Sequence, residues 1–378
     1  MGGLVSTDVA HTVALVDHHC HGVVTAELDR PGLEALISEG GPPSDGETNF
    51  DTPIGLAIRR HCAPLLDLPP HAPVDEYLAR RAELGTAEVN RRFLSSTNTA
   101  RYLVDTGHDP AGLTTPEELA AAAGAGAHHV VRLESVAEEL AASGVEPAEF
   151  ARRFAARLAD TVAATGAVGV KSVAAYRTGL RLDPARPTAP EVTAAAATWL
   201  AAGPGSGWRM AHPDLQRMSM WAAVDLGLPI QFHIGFGDSD IRMAEVDPTL
   251  LTDWIRQHRV PVMLLHCWPW HRQASYLACI YPNVHVDVGS VLHYVGPRRA
   301  VAVFAESAEV TPFTRLLYSS DAYGVPELYV LGALTFRLAL DAMLTDRIAA
   351  DEWSRPDAER IAAMVAHRNA ERVYRLPT

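Results

Sequence analysis

The sequence predicts an α/β fold, a (β/α)8 TIM barrel with a helical insertion after its first strand. Three observations support this prediction. Eight short apolar runs recur along the chain, and segments of helical pattern separate them, as parallel βαβ units require. Six of the runs end in or close to ionisable side chains, and barrels of this type build active sites at the C-terminal ends of their strands. The 378 residues fit one barrel with insertions, so we expect a single domain over 1–378.

The eight predicted strands are short and apolar. They occupy residues 13–16, 100–105, 129–134, 167–173, 229–233, 261–266, 284–288 and 316–321. Short apolar runs between turn signals are typical of buried strands in a parallel sheet. A count of eight is the number that closes a barrel of this fold.

The first and second predicted strands are unusually far apart, with about 80 residues between them. A Gly- and Pro-rich stretch at 40–46 predicts a loop, and helical patterns follow at 54–66 and 74–94. We therefore expect a mainly helical insertion at about 40–95. Because it follows the tip of the first strand, it should cover part of the barrel mouth.

Composition and charge exclude several classes of partner. The formal net charge of −13 argues against nucleic acid or an anionic membrane surface as the main partner. Apolar runs fall short of the roughly 20 residues of a membrane span, and no signal peptide is visible. Four cysteines without a CxxC pair favour a reducing cytoplasm. We expect a cytoplasmic enzyme of a small-molecule substrate, with homo-oligomerisation left open.

A pair of histidines, His19 and His21, ends the first predicted strand. Side chains two residues apart on a strand point to the same face, so the two imidazoles should converge. Cys20 between them should face the other way, into the core. A pair of converging imidazoles suits a divalent transition metal.

Further polar residues end the later strands. Lys171 lies in the fourth run, His233 and His266 end the fifth and sixth, and Asp321 ends the eighth. In a barrel these strand ends meet at one face. Imidazole and carboxylate groups are ligands that zinc prefers, which strengthens the metal-site prediction.

This set of residues and its strand order resemble the metal-dependent amidohydrolase superfamily. The resemblance implies that His19, His21 and Asp321 bind one divalent metal and that His233 and His266 bind a second. It also implies that a carboxylated lysine on the fourth strand, here Lys171, bridges them. Zinc is the expected metal, with manganese or iron as alternatives. The number of ions per chain is left open as one or two.

Three longer segments carry a narrower resemblance. Residues 170–180, 231–240 and 320–327 are similar to the amidohydrolase-2 type domain found at the N-terminus of FluG-like proteins. The segment 169–171 followed by Tyr176 also looks like the fourth strand of the cyclic-amidase branch, which implies that Tyr176 contacts the substrate.

Several neighbouring residues are candidates for substrate binding. Arg132 and Glu134 end the third run, Arg177 follows Tyr176, Asp238 follows the fifth run and His271 follows the sixth. Arginine recognises carboxylates through two parallel hydrogen bonds, so a cationic rim would suit a carboxylate-bearing substrate. The alternative for each residue is an ordinary surface or structural ion pair.

These residues predict metal-dependent hydrolysis of an amide or related C–N bond. A bound metal would activate water, Asp321 would carry the proton to the leaving nitrogen, and Tyr176 or Arg177 would stabilise the oxyanion. The FluG-like resemblance implies a small polar substrate, such as a γ-glutamyl-type amide.

Two alternatives remain. The first is a mononuclear decarboxylase or isomerase of the same superfamily, against which Lys171 argues. The second is a non-catalytic binding subunit, against which the complete ligand set argues. A nucleotide-using protein is not supported, because the chain has neither a GxxxxGK[ST] nor a GxGxxG motif.

Overall fold

The computed structural model describes residues 9–108 and 112–377. Its centre is a parallel sheet in which each strand pairs with the next strand in the chain. The strands are β1 (Leu15–Cys20), β2 (Thr99–Asp105), β3 (Gly126–Arg132), β4 (Gly169–Ser172), β5 (Ile230–His233), β6 (Val262–Leu265) and β7 (Val284–Val286). This order is that of a TIM barrel, as predicted.

Helices surround the sheet and connect its strands. They are α1 (Val9–Thr12), α2 (Arg30–Leu36), α3 (Pro53–His61), α4 (Val74–Leu84), α5 (Thr86–Ser96), α6 (Pro116–Ala123), α7 (Leu133–Ala142), α8 (Phe150–Thr165), α9 (Ala189–Ala202), α10 (Pro213–Leu226), α11 (Thr252–Gln257), α12 (His271–Ile280), α13 (Val291–Tyr294), α14 (Gly296–Ser307), α15 (Pro326–Ala349), α16 (Arg355–Ala363) and α17 (Asn369–Val373). Capping residues in the sequence explain where several of these helices begin. For example, Thr115 and Thr188 form capping boxes that satisfy backbone N–H groups at the starts of α6 and α9.

The segment 316–321 closes the barrel between β7 and β1. Leu316 pairs in parallel with Val286, and the carbonyl of Tyr318 accepts a hydrogen bond of 3.1 Å from the His18 N–H. The pairing is too irregular to form a strand, and Asp321 at its end has a left-handed φ of +53°. The expectation of a chain segment at this place is therefore confirmed, and the expectation of a regular eighth strand is wrong.

The strand register explains why polar side chains converge inside the barrel. Arg132 of β3 pairs with Lys171 of β4, which pairs with Gln231 of β5. Residues at one level of a parallel sheet point to the same face. The register therefore brings these three side chains side by side, although about 100 residues separate the first from the last.

The insertion between β1 and β2 is mainly helical and contains α2 to α5. It begins earlier than predicted, at Arg30. It packs on α15, where the Tyr77 hydroxyl donates to Glu327 at 2.8 Å and Arg81 Nε donates to the same carboxylate at 2.9 Å. The loop after α2 reaches the barrel mouth, where Glu39 lines the pocket described below.

The hydrophobic core has an inner and an outer part. Inside the barrel, Val16, Leu103 and Met263 pack against Tyr374 from the C-terminal tail. Outside it, aromatic and aliphatic side chains fill the space between the sheet and the helices, among them Phe232 and Trp254, whose rings meet edge to face. The polar end of the barrel therefore rests on a packed apolar floor.

Helix α15 is long and apolar enough, by length and composition alone, to cross a membrane. The most apolar part of this helix is 78% buried inside the protein, however. Core helices pass the same test of length and composition, and α15 packs against α5 and α14. Its apolar character is therefore used for packing in this fold.

Candidate active site

A pocket of about 210 Å³ opens where the carboxyl ends of the strands meet. It is lined by all but two of the residues that the sequence predicted for the site. These lining residues are His19, His21, Arg132, Lys171, Tyr176, Arg177, His233, Asp238, His266 and Asp321.

The carboxylate of Asp321 lies among three histidines. One oxygen is 3.2 Å from His19 Nε2 and 3.7 Å from His21 Nε2, and the other is 3.1 Å from His266 Nδ1. Burial alone would raise the pKa of Asp321, but these imidazoles hold it well below its usual range. The carboxylate is therefore ionised at neutral pH and available as a ligand or proton acceptor.

The ring of His19 is held by Gln231. Gln231 Oε1 lies 2.9 Å from His19 Nδ1, while Gln231 Nε2 donates to the His18 carbonyl at 2.7 Å and to the Tyr374 hydroxyl at 2.8 Å. Because the amide nitrogen is fully used, its oxygen must accept from His19 Nδ1–H. This hydrogen bond leaves His19 Nε2 without a proton and facing the pocket.

His21 and His233 are oriented by backbone groups in a similar way. His21 Nδ1 lies 3.1 Å from the Asp105 carbonyl, which leaves its Nε2 towards Asp321. His233 has a backbone hydrogen bond with Phe236, and its Nε2 lies 3.1 Å from the Tyr176 hydroxyl. Both rings therefore present Nε2 to the pocket.

Lys171 is buried in the barrel, only 2% exposed. Its Nζ lies 3.4 Å from His19 Nε2. Burial lowers the pKa of Lys171 to about 8, although Asp105 and Asp321 partly oppose the shift. It is also the only lysine among the 378 residues of the chain. A guanidinium would stay charged here, whereas an amine can lose its proton and react.

The site's residues fit a divalent transition metal. His266 Nε2 is buried without a partner among the described residues, and His266 Nδ1 has only the 3.1 Å contact with Asp321. Such atoms are costly unless something binds them. The ligand atoms of His19, His266 and Asp321 lie within 4.8 Å of one another, and those of His19, His21 and Asp105 do likewise. Asp105 is the weaker candidate because Arg132 and the Gly107 N–H already hold its carboxylate.

Three arginines line the pocket, and each forms an ion pair, Arg209 with Asp240 as described below. Arg132 donates to Asp105 through Nε and Nη2, at 3.1 and 2.5 Å. Arg177 Nη2 lies 3.1 Å from Glu138, but its Nε is buried without a hydrogen-bond partner in the part of the chain that the structure describes. Arg177 therefore retains a donor for a substrate group, whereas Arg132 mainly fixes Asp105.

Two predicted substrate-binding residues lie outside the pocket, and these predictions are corrected. Glu134 lies in the first turn of α7, where it is fully buried and accepts hydrogen bonds from Ser172 and the Val173 N–H. His271 begins α12, and its Nε2 lies 2.7 Å from Glu306. Each forms an internal contact because a helix starts directly at that point and turns the side chain away from the mouth.

Other residues that the sequence interpretation missed also line the pocket. They are Glu39, His108, Arg209 and Tyr323, and all four come from loops. No strand periodicity marks such positions. Asp240, the last residue of the segment 231–240, also lines the pocket and forms an ion pair with Arg209 at 2.9 Å.

A parallel α/β barrel with histidines and a carboxylate clustered at its mouth defines a barrel protein with a candidate metal site. The sequence model of the amidohydrolase family matches residues 106–376, most of the chain, and the protein belongs to that family. Protein fluG of Emericella nidulans is 34% identical over 240 residues, which are 60% of this chain. That match spans only 28% of the fluG protein.

Solved structures agree with the fold. A candidate metal-dependent hydrolase from Lactobacillus casei superimposes with a TM-score of 0.84 at 27% sequence identity, over the full length of both chains. A uronate isomerase from Thermotoga maritima has a TM-score of 0.67 at 12% identity, over 98% of each chain. The second likeness concerns the fold alone.

Proposed function

We propose that the protein hydrolyses an amide or related C–N bond of a small polar substrate, with one or two divalent metal ions, most simply zinc. The convergence of four histidines and Asp321 on one pocket carries this proposal. Three of the histidines present Nε2 to the pocket because a second group holds the other ring nitrogen.

His19, His21 and Asp321 would hold a first ion, and His233 and His266 a second. The buried His266 Nε2, which has no partner among the described residues, supports this assignment. When bound, such ions polarise a carbonyl and make water a better nucleophile at neutral pH. We assign the remaining steps to residues of this chain.

Lys171 would join the two ions after carboxylation. Its uncharged amine adds to CO2, which forms an N–C bond and releases one proton, and the product is a carbamate. Complete burial and a pKa lowered to about 8 favour the uncharged amine. Every other basic aliphatic side chain of the protein is arginine, which cannot form this group at neutral pH.

Asp321 and Tyr176 would handle the proton and the developing charge. The ionised Asp321 carboxylate takes a proton from the attacking water and passes it to the leaving nitrogen. Burial raises the pKa of Tyr176 well above its ordinary value, so its hydroxyl stays protonated and can donate to an oxyanion. Arg177, with its unused Nε, would bind a substrate carboxylate. A γ-glutamyl-type amide has such a group.

The direct test is release of a primary amine from a panel of γ-glutamyl and N-acyl amides by the zinc-reconstituted protein, with ions counted per chain by mass spectrometry. Amine release is the expected result. Failure to release amine, combined with a single ion per chain and turnover of a sugar acid or an unsaturated acid, would instead identify a mononuclear isomerase or decarboxylase. Ligand binding without turnover of any of these compounds would identify a binding subunit.

A further inference from the structure

A second cavity, of about 130 Å³, adjoins the active-site pocket. The two share Glu39, His108, Asp321 and Tyr323, and the arginines line only the first. The far wall of the second cavity comes from the loop after α2 and from α13. The mouth of the barrel therefore has two ends of different chemistry, one with guanidinium groups and one without.

The second cavity contains hydrogen-bond acceptors that no protein group satisfies. The Glu39 carboxylate has neither a hydrogen bond nor an ion pair among the described residues, although its backbone is hydrogen-bonded to the Tyr294 side chain. His293 is 1% exposed, and its Nδ1 has no partner in the same set of residues. His108 likewise makes no hydrogen bond there. The His108 side chain is exposed, but the buried His293 Nδ1 and the half-buried Glu39 carboxyl are costly to leave unpaired unless a ligand or water supplies donors.

The surroundings of Glu39 favour a positive ligand. Burial raises the pKa of Glu39 to about 8, and the nearby carboxylates of Asp321 and Asp238 add to the shift, so the empty site holds a mainly protonated carboxyl and a bound cation would favour its ionised form. Burial also lowers the pKa of His293 to about 4, so its imidazole is neutral and has one acceptor nitrogen. The aromatic ring of Tyr323, which also lines the cavity, adds a face that attracts cations.

An organic cation fits this cavity better than a metal ion. Among the described residues, both sets of three ligand atoms close enough for a metal contain His19 of the first pocket, and neither contains Glu39, His108 or His293. The acceptors of the second cavity are spaced more widely. A primary ammonium group has three N–H donors and can reach such acceptors directly or through water.

We propose that Glu39, with His108 and His293, binds a primary ammonium group of the substrate. This inference rests on the proposed hydrolase function and deepens it. The substrate class is then an amide whose acyl part carries a carboxylate near Arg177 and whose amine part carries a further primary ammonium near Glu39, with the scissile bond between them. Glu39 is the specificity-determining residue for the cationic end.

The test measures binding of n-butylammonium to the zinc-reconstituted protein by titration calorimetry, because this readout does not depend on turnover. We expect a dissociation constant in the millimolar range for the wild type and a value at least about tenfold higher for Glu39→Gln. Asp240→Asn removes a carboxylate from the first pocket only and should change binding by less than about twofold. Tetramethylammonium, which lacks N–H donors, and uncharged n-butanol should bind more weakly.

Equal binding of n-butylammonium to wild type and Glu39→Gln would overturn the proposal, as would undetectable binding to both. Loss of binding on zinc removal would also overturn it, because the amine would then be a metal ligand. Glu39-dependent binding in a protein that releases no amine from any amide would leave this subsite standing and refute the hydrolase. Amide hydrolysis without Glu39-dependent binding of n-butylammonium would support the hydrolase function and refute the ammonium subsite.

Discussion

Gln231 Oε1 accepts a hydrogen bond from His19 Nδ1 at 2.9 Å, and the same amide donates through Nε2 to the His18 carbonyl and the Tyr374 hydroxyl. If the Gln231 amide group flipped, all three of these hydrogen bonds would be lost. A glutamine in the middle of β5 thus fixes the tautomer of a histidine on β1. The C-terminal tail takes part, because Tyr374 holds the amide from the barrel floor.

Gln231→Met should weaken metal binding by about 10- to 100-fold, since the His19 ring loses the group that orients it. The measurement is a metal competition titration with a chromophoric chelator. Gln216→Met is the matched control, because Gln216 is equally buried but bonds Glu134 and Ser172 outside the pocket. An unchanged metal affinity in Gln231→Met would refute the orienting role.

Asp321→Asn should lower kcat by at least about 100-fold with a much smaller change in KM, because the isosteric amide cannot accept the proton from water. Metal content must be measured with the rate, since Asn is also a poorer ligand. Near wild-type turnover in a fully metal-loaded Asp321→Asn protein would exclude the proton-transfer role.

Lys171→Arg should remove the carbamate and reduce the metal content from two ions per chain to about one. The chain has no second lysine, so protein incubated with 13C-bicarbonate should show one side-chain carbamate resonance by NMR. That resonance should be absent in Lys171→Arg, which keeps a cationic side chain. Two ions per chain in this variant would show that the metals need no lysine bridge.

The fold was predictable because local sequence patterns indicate most of the strands. Apolar runs and their spacing indicated the barrel, and the polar residue ending a run indicated which side chains meet, as for His19 and Asp321. The eighth segment shows the limit of this reasoning. Its place was predictable, but the left-handed backbone of Asp321 depends on contacts with β1 and β7 that no local pattern shows.

The rest of the site depends on long-range placement. Glu39 comes from a loop in the insertion and His293 from the short helix α13, and neither position follows from strand periodicity. The prediction that Glu134 binds the substrate is wrong for a related reason. A helix begins at Leu133, and it directs the Glu134 side chain to Ser172. The sequence itself distinguishes Lys171, which is the single lysine among 378 residues.

Glu39→Gln should make the metal-free protein more resistant to unfolding at alkaline pH. The pKa of Glu39 is about 8 in the folded state against an ordinary 4.5, so only the unfolded chain loses this proton between those values. The free energy of unfolding of the wild type therefore falls as pH rises from 4.5 to 8 and then stays constant. After allowance for solvent screening, the free energy of unfolding of Glu39→Gln should exceed that of the wild type by about 1–2 kcal/mol at high pH.

Urea unfolding of both proteins at about pH 4 and about pH 9 checks this prediction. The two should have equal stability at the acidic value, where Glu39 is protonated in both states. A stability difference that is the same at both pH values would show that the Glu39 carboxyl does not titrate abnormally in the folded protein.

Glu327→Gln should lower the free energy of unfolding by about 3–5 kcal/mol, because it leaves the Arg81 guanidinium buried without a counter-charge. The pair lies between the insertion and α15, with Arg81 4% and Glu327 0% exposed, and Arg81 Nη2 already lacks a hydrogen-bond partner among the described residues. Asp67→Asn is the control, since its ion pairs with Arg80 and Arg92 are exposed to solvent and should contribute little to stability. Urea unfolding followed by circular dichroism measures both variants. An equal loss of unfolding free energy in the two variants would show that the buried Arg81–Glu327 pair does not stabilise the packing of the insertion on the barrel.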